Sequence, residues 1–459
     1  MMENQSKMQC DKPIPAGYKL TEVGVIPEDW SVEPLTIITE PKRPISYGIV
    51  QTGPSVANGV PCIRVVDISN GKIQTNNLIT TSEKISASYR RTILKKGDVI
   101  IPLRGKVGEI AIVDKYTHGA NLTRGVALIA LKKEYDSRYV RQYLSCKDSA
   151  DRLLASMNGS ALQEITIATL RRFPIVLPSS LKEQFTIGNV LSDTDSLITV
   201  LEQLIIKKQA IKTATMQQLL TGRTRLPQFA KHPDGTLKGY KTSELGKLPE
   251  DWTVLTYGEI FDFLSTSTNA RSDLSHNGEY GYIHYGDIHT KWNNKLDASF
   301  VELPKISKKL VSSSFLENGD VIMADASEDY SGIGKSIEVC NIGNKKIVAG
   351  LHTYLLRDKC KQLSDGYRGY LHSNVNVKKI IDQLATGMKV FGISKNNLLS
   401  VPVPVPSKQE QTAIATILSD MDAELTTLEE KLAKVHDLKQ GMMQQLLTGR
   451  MRLPLEQYA

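Results

Sequence analysis

One unit is written twice along this chain of 459 residues, and that duplication constrains its architecture more than any other feature. Gly17-Tyr18-Lys19 returns as Gly239-Tyr240-Lys241, Pro27-Glu28-Asp29-Trp30 as Pro249-Glu250-Asp251-Trp252, and Gly97-Asp98-Val99-Ile100 as Gly319-Asp320-Val321-Ile322, each 222 positions later. MQQLLTGR starts at Met216 and again at Met443, and Arg225-Leu226-Pro227 returns as Arg452-Leu453-Pro454, an offset of 227. The second copy therefore carries a net five extra residues after Ile322. They are expected in the segment 324–335, which is longer than its counterpart 102–109.

Each copy has two parts. Residues 17–180 and 239–406 alternate short apolar runs with Gly, Asn and Pro turns, as in VPCIRVVDISNG from Val60, GDVIIPL from Gly97 and VALIAL from Val126. With helical patches such as 138–154, this pattern predicts a mixed α/β globule. Residues 182–220 and 408–447 contain no proline and only the glycines Gly188 and Gly441. In the second of these segments Ile414, Leu418, Met421, Leu425, Leu428, Leu432, Val435, Leu438, Met442 and Leu446 follow steps of three and four, the period of a coiled-coil seam. The first offers Ile187, Leu191, Leu197, Leu201, Leu204, Ile211 and Leu219, interrupted by polar Thr194, Lys208 and Thr215. Both segments stop at Thr-Gly-Arg, where Gly222 or Gly449 is suited to end a helix.

A helix of ~40 residues spans ~60 Å. Two such helices either pack on their own globules or pair with each other. If the copies are related by a pseudo-twofold axis, the helices run antiparallel and act as a ruler. The expected fold is α+β: two pseudo-symmetric mixed α/β globules separated by a pair of long antiparallel coiled-coil helices. Its segments are a tail (1–16), a globule (17–180), a helix (181–222), a linker (223–238), a globule (239–406), a helix (407–449) and a tail (450–459). Trp30 and Trp252, at equivalent positions, are expected to be core or interface anchors.

Composition narrows the function. Hydrophobic residues make up 41% and charged residues 23%, the balance of a soluble globular protein. No stretch approaches the ~18 apolar residues of a membrane span, and the polar first sixteen residues predict no secretory signal. Five cysteines without a C-x-x-C pair argue against a zinc module or disulfide framework and suit a reducing cytoplasm. A net charge of +8 favours an acidic partner, most commonly nucleic acid.

Catalytic constellations do not assemble. Without a Pro-Pro dipeptide there is no Asn/Asp-Pro-Pro-aromatic motif of an amino methyltransferase. SGIGKS, from Ser331, has Asp329 where a phosphate-binding loop needs glycine. His284 and His289 fit no metal-ligand spacing and are expected to be surface or packing residues. Glu429-x-Lys431 falls within the heptad run, where flanking charges belong. The expectation is no catalytic residue and no metal.

In this order and in duplicate, GYKLTEVGVIPEDWSVEPL, GVPCIRVVDISNG and the QLLTGR endings resemble the specificity subunits of type I restriction-modification systems, across essentially the whole chain beyond its N-terminal tail. The resemblance implies that each globule is a target-recognition domain reading one half of a split DNA sequence, with the helices setting the gap. It implies two methyltransferase subunits and two restriction subunits as partners. The chain itself would hold no cofactor, with S-adenosylmethionine, ATP and magnesium on the partner subunits. Because the globules diverge between copies, the half-sites should differ.

Contacts to double-stranded DNA are expected from Arg64, Arg90, Arg91, Arg104 and Lys106 in the first globule, and from Lys291, Trp292, Asn293, Asn294 and Lys335 in the second. Asn158, Ser160 and Lys389 join them from the equivalent loops MNGSALQEI and TGMKVFGIS, which approach DNA in the family. Two other readings are a coiled-coil adaptor holding two protein partners, and a reader fused to a catalytic domain.

Overall fold

Each copy opens on a tight antiparallel hairpin, Tyr18–Thr21 with Gly24–Pro27 and Tyr240–Ser243 with Gly246–Pro249. The next strand (Ser31–Pro34, Thr253–Thr256) pairs with the one just before the long helix (Pro174–Leu177, Pro402–Val405), so the two ends of each globule are stitched together. The computed structural model describes residues 14–157, 163–329 and 332–454.

Between these strands lies a buried sheet. In the first copy its order is Ala111–Ile112, Val99–Pro102, Val126–Ile129, Ser46–Tyr47. In the second it is Phe261–Leu264, Thr353–Asp358, Val321–Ala324, Ser336–Cys340, Lys295–Asp297. The central strands are apolar without alternation because both faces are covered. Val99, Ile101, Ala127 and Ile129 face one hydrophobic cluster while Ile100, Val126 and Leu128 face another. Val321, Met323 and Leu356 are divided from Ile322 and Leu355 in the same way. Ile100 pairs with Ala111 but Ile322 with Ile337, so this connection is four residues longer in the second copy and holds most of its extra length.

The long segments are continuous helices, α1 (Leu181–Leu220) and α2 (Lys408–Leu446). Two compact units divide the chain, one running to Glu202 and resuming at Glu430, the other Gln203–Glu429, so each includes one globule and part of both helices. Within the first unit Ile187 and Leu191 of α1 share a core cluster with Leu446, and Lys439 pairs with Asp195 at 2.7 Å. Within the second, Lys208 pairs with Glu424 at 2.6 Å and Lys212 with Asp422. Later residues of α1 meet earlier residues of α2, so the pairing is antiparallel.

The seam of α1 differs from the sequence expectation by one position. Ile198, Leu201 and Ile205 are buried, whereas Leu197 and Ile211 are 42% and 41% exposed. The stripe is Ile187, Leu191, Thr194, Ile198, Leu201, Ile205, Lys208, Lys212, with its last two lysines spent on the ion pairs to α2. Leu438, expected in the α2 seam, is also exposed.

Both helices end at their Thr-Gly-Arg. Gly222 (φ 68°) and Gly449 (φ 67°) are left-handed, and a Cβ on either would lie 2.5 or 2.4 Å from the ring of Pro249 or Pro27. Tyr240 donates its hydroxyl hydrogen to the Gly222 carbonyl, and Tyr18 donates to that of Gly449. The second helix thus returns to the opening hairpin of the first copy, as the first helix ends on that of the second. Trp252 and Trp30 lie buried beside these joints as anchors. Arg225 stacks over Trp252 and grips Glu410 and Asp251; Arg452 stacks over Trp30 and grips Glu183 and Asp29.

Candidate nucleic-acid interface

A short helix (Glu83–Ser88), capped by the Ser82 hydroxyl, runs into a 3₁₀ turn at Arg90–Thr92. Buried Asn121 holds this corner from beneath. Its Oδ1 accepts from the Thr92 hydroxyl at 2.7 Å, and its Nδ2 donates to the Ser86 hydroxyl at 3.0 Å and the Ser86 carbonyl at 3.3 Å. With the turn so fixed, Arg90 and Arg91 are exposed beside a cleft of about 640 Å³ that also takes in Ser46, Tyr47, Ser88 and Arg171. Arg171 comes from the helix Ile167–Arg172 and is held by two hydrogen bonds to the Ile45 carbonyl, at 2.8 and 3.3 Å. Among the described residues no carboxylate lines the cleft, and neither Arg90 nor Arg91 has an ion-pair partner. Three guanidiniums around one concavity have the chemistry to receive an anion.

The other first-globule candidates are spent in part on their own loops. Arg64 lies against Asp67, with Nη2 to Oδ1 at 2.8 Å, and also donates to the Asn77 carbonyl. That hydrogen bond to Asp67 holds the guanidinium charged. Lys106 caps the Ile68 carbonyl at 3.0 Å, and Arg104 is half-buried beside Gly125. Asn158 and Ser160 lie outside the described residues.

In the second globule the structure corrects the expectation for Asn294. Its side chain is buried and its amide nitrogen donates to the Gly369 carbonyl at 3.0 Å and the Ser373 hydroxyl at 2.9 Å, so it braces the fold. Trp292 packs half-buried on a core cluster. Lys335 turns inward to the His289 carbonyl at 3.1 Å, and burial lowers its pKa. Together with Asn293 and Asn294 it lines a cleft against Lys212 and Asp422, a mixed-charge environment unlike the arginine cleft. Lys291 pairs with Asp287 at 3.1 Å but remains half-exposed. Lys389 is exposed, at the tip of a hairpin closed by two Thr386–Gly392 hydrogen bonds. His284 and His289 are packing residues: the first caps the helix Tyr285–Thr290, and the second bonds the Ala326 carbonyl.

The matches to known proteins follow the duplication. The type I restriction modification DNA specificity domain matches twice, at residues 54–210 and 249–436, well over half of the chain. The chain belongs to the type I restriction-modification DNA specificity family. A relative spanning the whole length is the putative type I restriction enzyme MjaX specificity subunit of Methanocaldococcus jannaschii, 25% identical over 95% of this chain and 97% of its own. The EcoBI specificity subunit of Escherichia coli is 27% identical over 46% of this chain and 45% of its own. The crystal structure of the type I S subunit from M. genitalium aligns over 93% of this chain and 97% of its own, with a TM-score of 0.54 and 16% identity, and so has the same fold.

Within this specificity subunit, no helix among the described residues is long and apolar enough to cross a membrane, and no group of three or more His, Cys, Asp or Glu is placed to hold a metal ion. Tyr47 and Arg171 escaped the sequence reading. The signal that could have found Arg171 is the recurrence of an Arg-Arg doublet, Arg90-Arg91 and Arg171-Arg172.

Proposed function

We propose that this subunit reads a split, asymmetric DNA sequence with one globule per half-site, and that it carries no catalytic chemistry of its own. The observation behind this reading is the double match to the specificity domain on two globules that share their opening hairpin and closing strand pair but carry sheets of four and five strands. Reading two half-sites requires fixed spacing and rotation along the duplex, since one turn of DNA is ~34 Å and ~10 base pairs. Two continuous helices of 40 and 39 residues, antiparallel and ion-paired, are suited to keep the two readings in register.

Two methyltransferase subunits and two restriction subunits complete the assembly, and S-adenosylmethionine, ATP and magnesium belong to them. Leu197, Val200 and Ile211 of α1 are exposed on one face of the helix, an apolar stripe suited to cover by a partner subunit. The chain acts in the cytoplasm, where its DNA substrate is.

Co-expression with the neighbouring methyltransferase subunit, followed by mapping of methylated adenines across genomic DNA by single-molecule sequencing, tests the reading. The expected result is methylation at one asymmetric split motif. A stable complex with an intact methyltransferase that leaves the DNA unmodified would favour the adaptor reading.

A further inference from the structure

The arginine cleft belongs to one copy only. Strand register supplies the correspondence between copies: Leu128 lies between Ile100 and Ser46 in the first sheet as Leu355 lies between Ile322 and Leu264 in the second. Ser46 and Tyr47 therefore correspond to Leu264 and Ser265. The shared Gly-Asp-Val at 97–99 and 319–321 places Arg90 and Arg91 against Ser312 and Ser313, and the strands Pro174–Leu177 and Pro402–Val405 place Arg171 against Leu399. The brace is replaced as well. Asn121 pairs with Cys62 in a parallel register where Val348 pairs with Tyr282. At this site the second copy has serines and two leucines, and Ser265 and Ser314 hydrogen-bond each other at 3.0 Å.

This contrast separates two roles that a basic surface could play. Features needed by both globules for folding or joining are kept in duplicate, as the Arg225–Glu410 and Arg452–Glu183 joints are. Three arginines, an aromatic wall and a buried asparagine brace, all present in one copy and all absent from the other, belong to something that differs between the copies. For a chain with two readers, that is the DNA each one grips.

We infer that the Arg90/Arg91/Arg171 cleft, with Tyr47 on its wall, holds the phosphodiester backbone at the half-site read by the first globule, and that the second globule grips its half-site through other residues. The chemistry fits. Guanidinium forks match phosphate oxygens bidentately, the absence of a carboxylate among the described lining residues leaves those of Arg90 and Arg91 free to do so, and the brace and the Ile45 hydrogen bonds of Arg171 hold two of the three elements before DNA arrives. The inference rests on the DNA-reading role proposed above.

The test uses the subunit assembled with its methyltransferase partners and compares wild type, Arg90→Gln/Arg91→Gln and Ser312→Ala/Ser313→Ala, all exposed or partly exposed positions, with thermal melting as the folding control. DNA containing the mapped split site is titrated at several salt concentrations. The arginine variant is expected to bind at least tenfold more weakly at physiological salt, with the slope of log K against log salt shallower by about 0.9 for each phosphate no longer neutralised. The serine variant should bind as wild type does. Unchanged affinity and slope in the arginine variant, with wild type binding its site, overturns the inference and leaves the DNA-reading role intact. Relaxed methylation at a single base pair with an unaltered slope overturns the phosphate assignment. A wild-type complex that binds no split site sinks the DNA-reading role and this inference with it.

Discussion

Truncating Arg225 to alanine would strip Glu410 of its ionic partner, and Glu410 is a carboxylate only 2% exposed. Arg225 reaches it twice, Nε to Oε1 at 2.6 Å and Nη2 to Oε2 at 2.7 Å, while Nη1 holds Asp251 at 2.9 Å. Removing one member of a buried pair costs ~3–5 kcal/mol because the other charge is left uncompensated. Two partners of Glu410 survive the change: the Trp252 indole N–H at 3.0 Å and the first turn of α2, where the carboxylate meets the positive end of the helix. These offset ~1 kcal/mol. The Asp251 contact is about a third exposed and adds less than ~1 kcal/mol.

The expected loss is therefore about 3 kcal/mol in the unit Gln203–Glu429, read by urea unfolding together with hydrogen exchange of that unit's core amides. Arg225→Ala with Glu410→Ala should cost less than the sum of the two single changes, since the second removes the orphaned charge. A loss below ~1 kcal/mol for Arg225→Ala, or full additivity in the double variant, would refute the reasoning.

Three further outcomes follow from the structure. Gly222→Ala or Gly449→Ala should destabilise by at least ~1–2 kcal/mol in thermal melting, from the left-handed backbone and the Cβ contact with Pro249 or Pro27. His372 is half-buried against the Ser336 hydroxyl, and desolvation, with Lys335 and Lys378 nearby, depresses its pKa from 6.5 to about 3. Below pH 6.5 the unfolded chain takes up a proton that the folded one refuses, so stability is lost as pH falls from 6.5 towards 3, and His372→Asn should flatten that loss in melts across the range. Replacing residues 30–157 by the corresponding region of another specificity subunit should change one half-site of the methylated motif and leave the other unchanged; change in both halves contradicts one globule per half-site.

Much of the frame was legible because it is written locally. The helices α1 and α2 are proline-free periodic runs closed by Gly222 and Gly449, and their bounds lie within a few residues of the pattern. The longer connection of the second copy was visible as a shift in the repeat offset, and the strand register puts four of the five extra residues between Ile322 and Ile337. The interface was less legible. Asn294 reads as an exposed polar residue after Lys291-Trp292-Asn293, yet the backbone turns it onto Gly369 and Ser373, some eighty positions away. Arg171 reads as a helix-end charge, and only the folded globule brings it beside Arg90 and Arg91.

The sequence by itself determined the duplication, the two long helices, their glycine ends and the buried central strands, since each follows from a repeat, a period or a backbone angle expressed within a few neighbouring residues. Tertiary structure decided which of two adjacent apolar residues enters a seam, as at Leu197 and Ile198, where a step of one residue turns the helix by ~100° and the partner helix selects the face. It also decided which charges converge and which are spent: Lys212 goes to Asp422 and Arg225 to Glu410, while Arg90, Arg91 and Arg171 are left facing one open cleft. Convergence of that kind depends on distances between residues far apart in the chain, which no local pattern encodes.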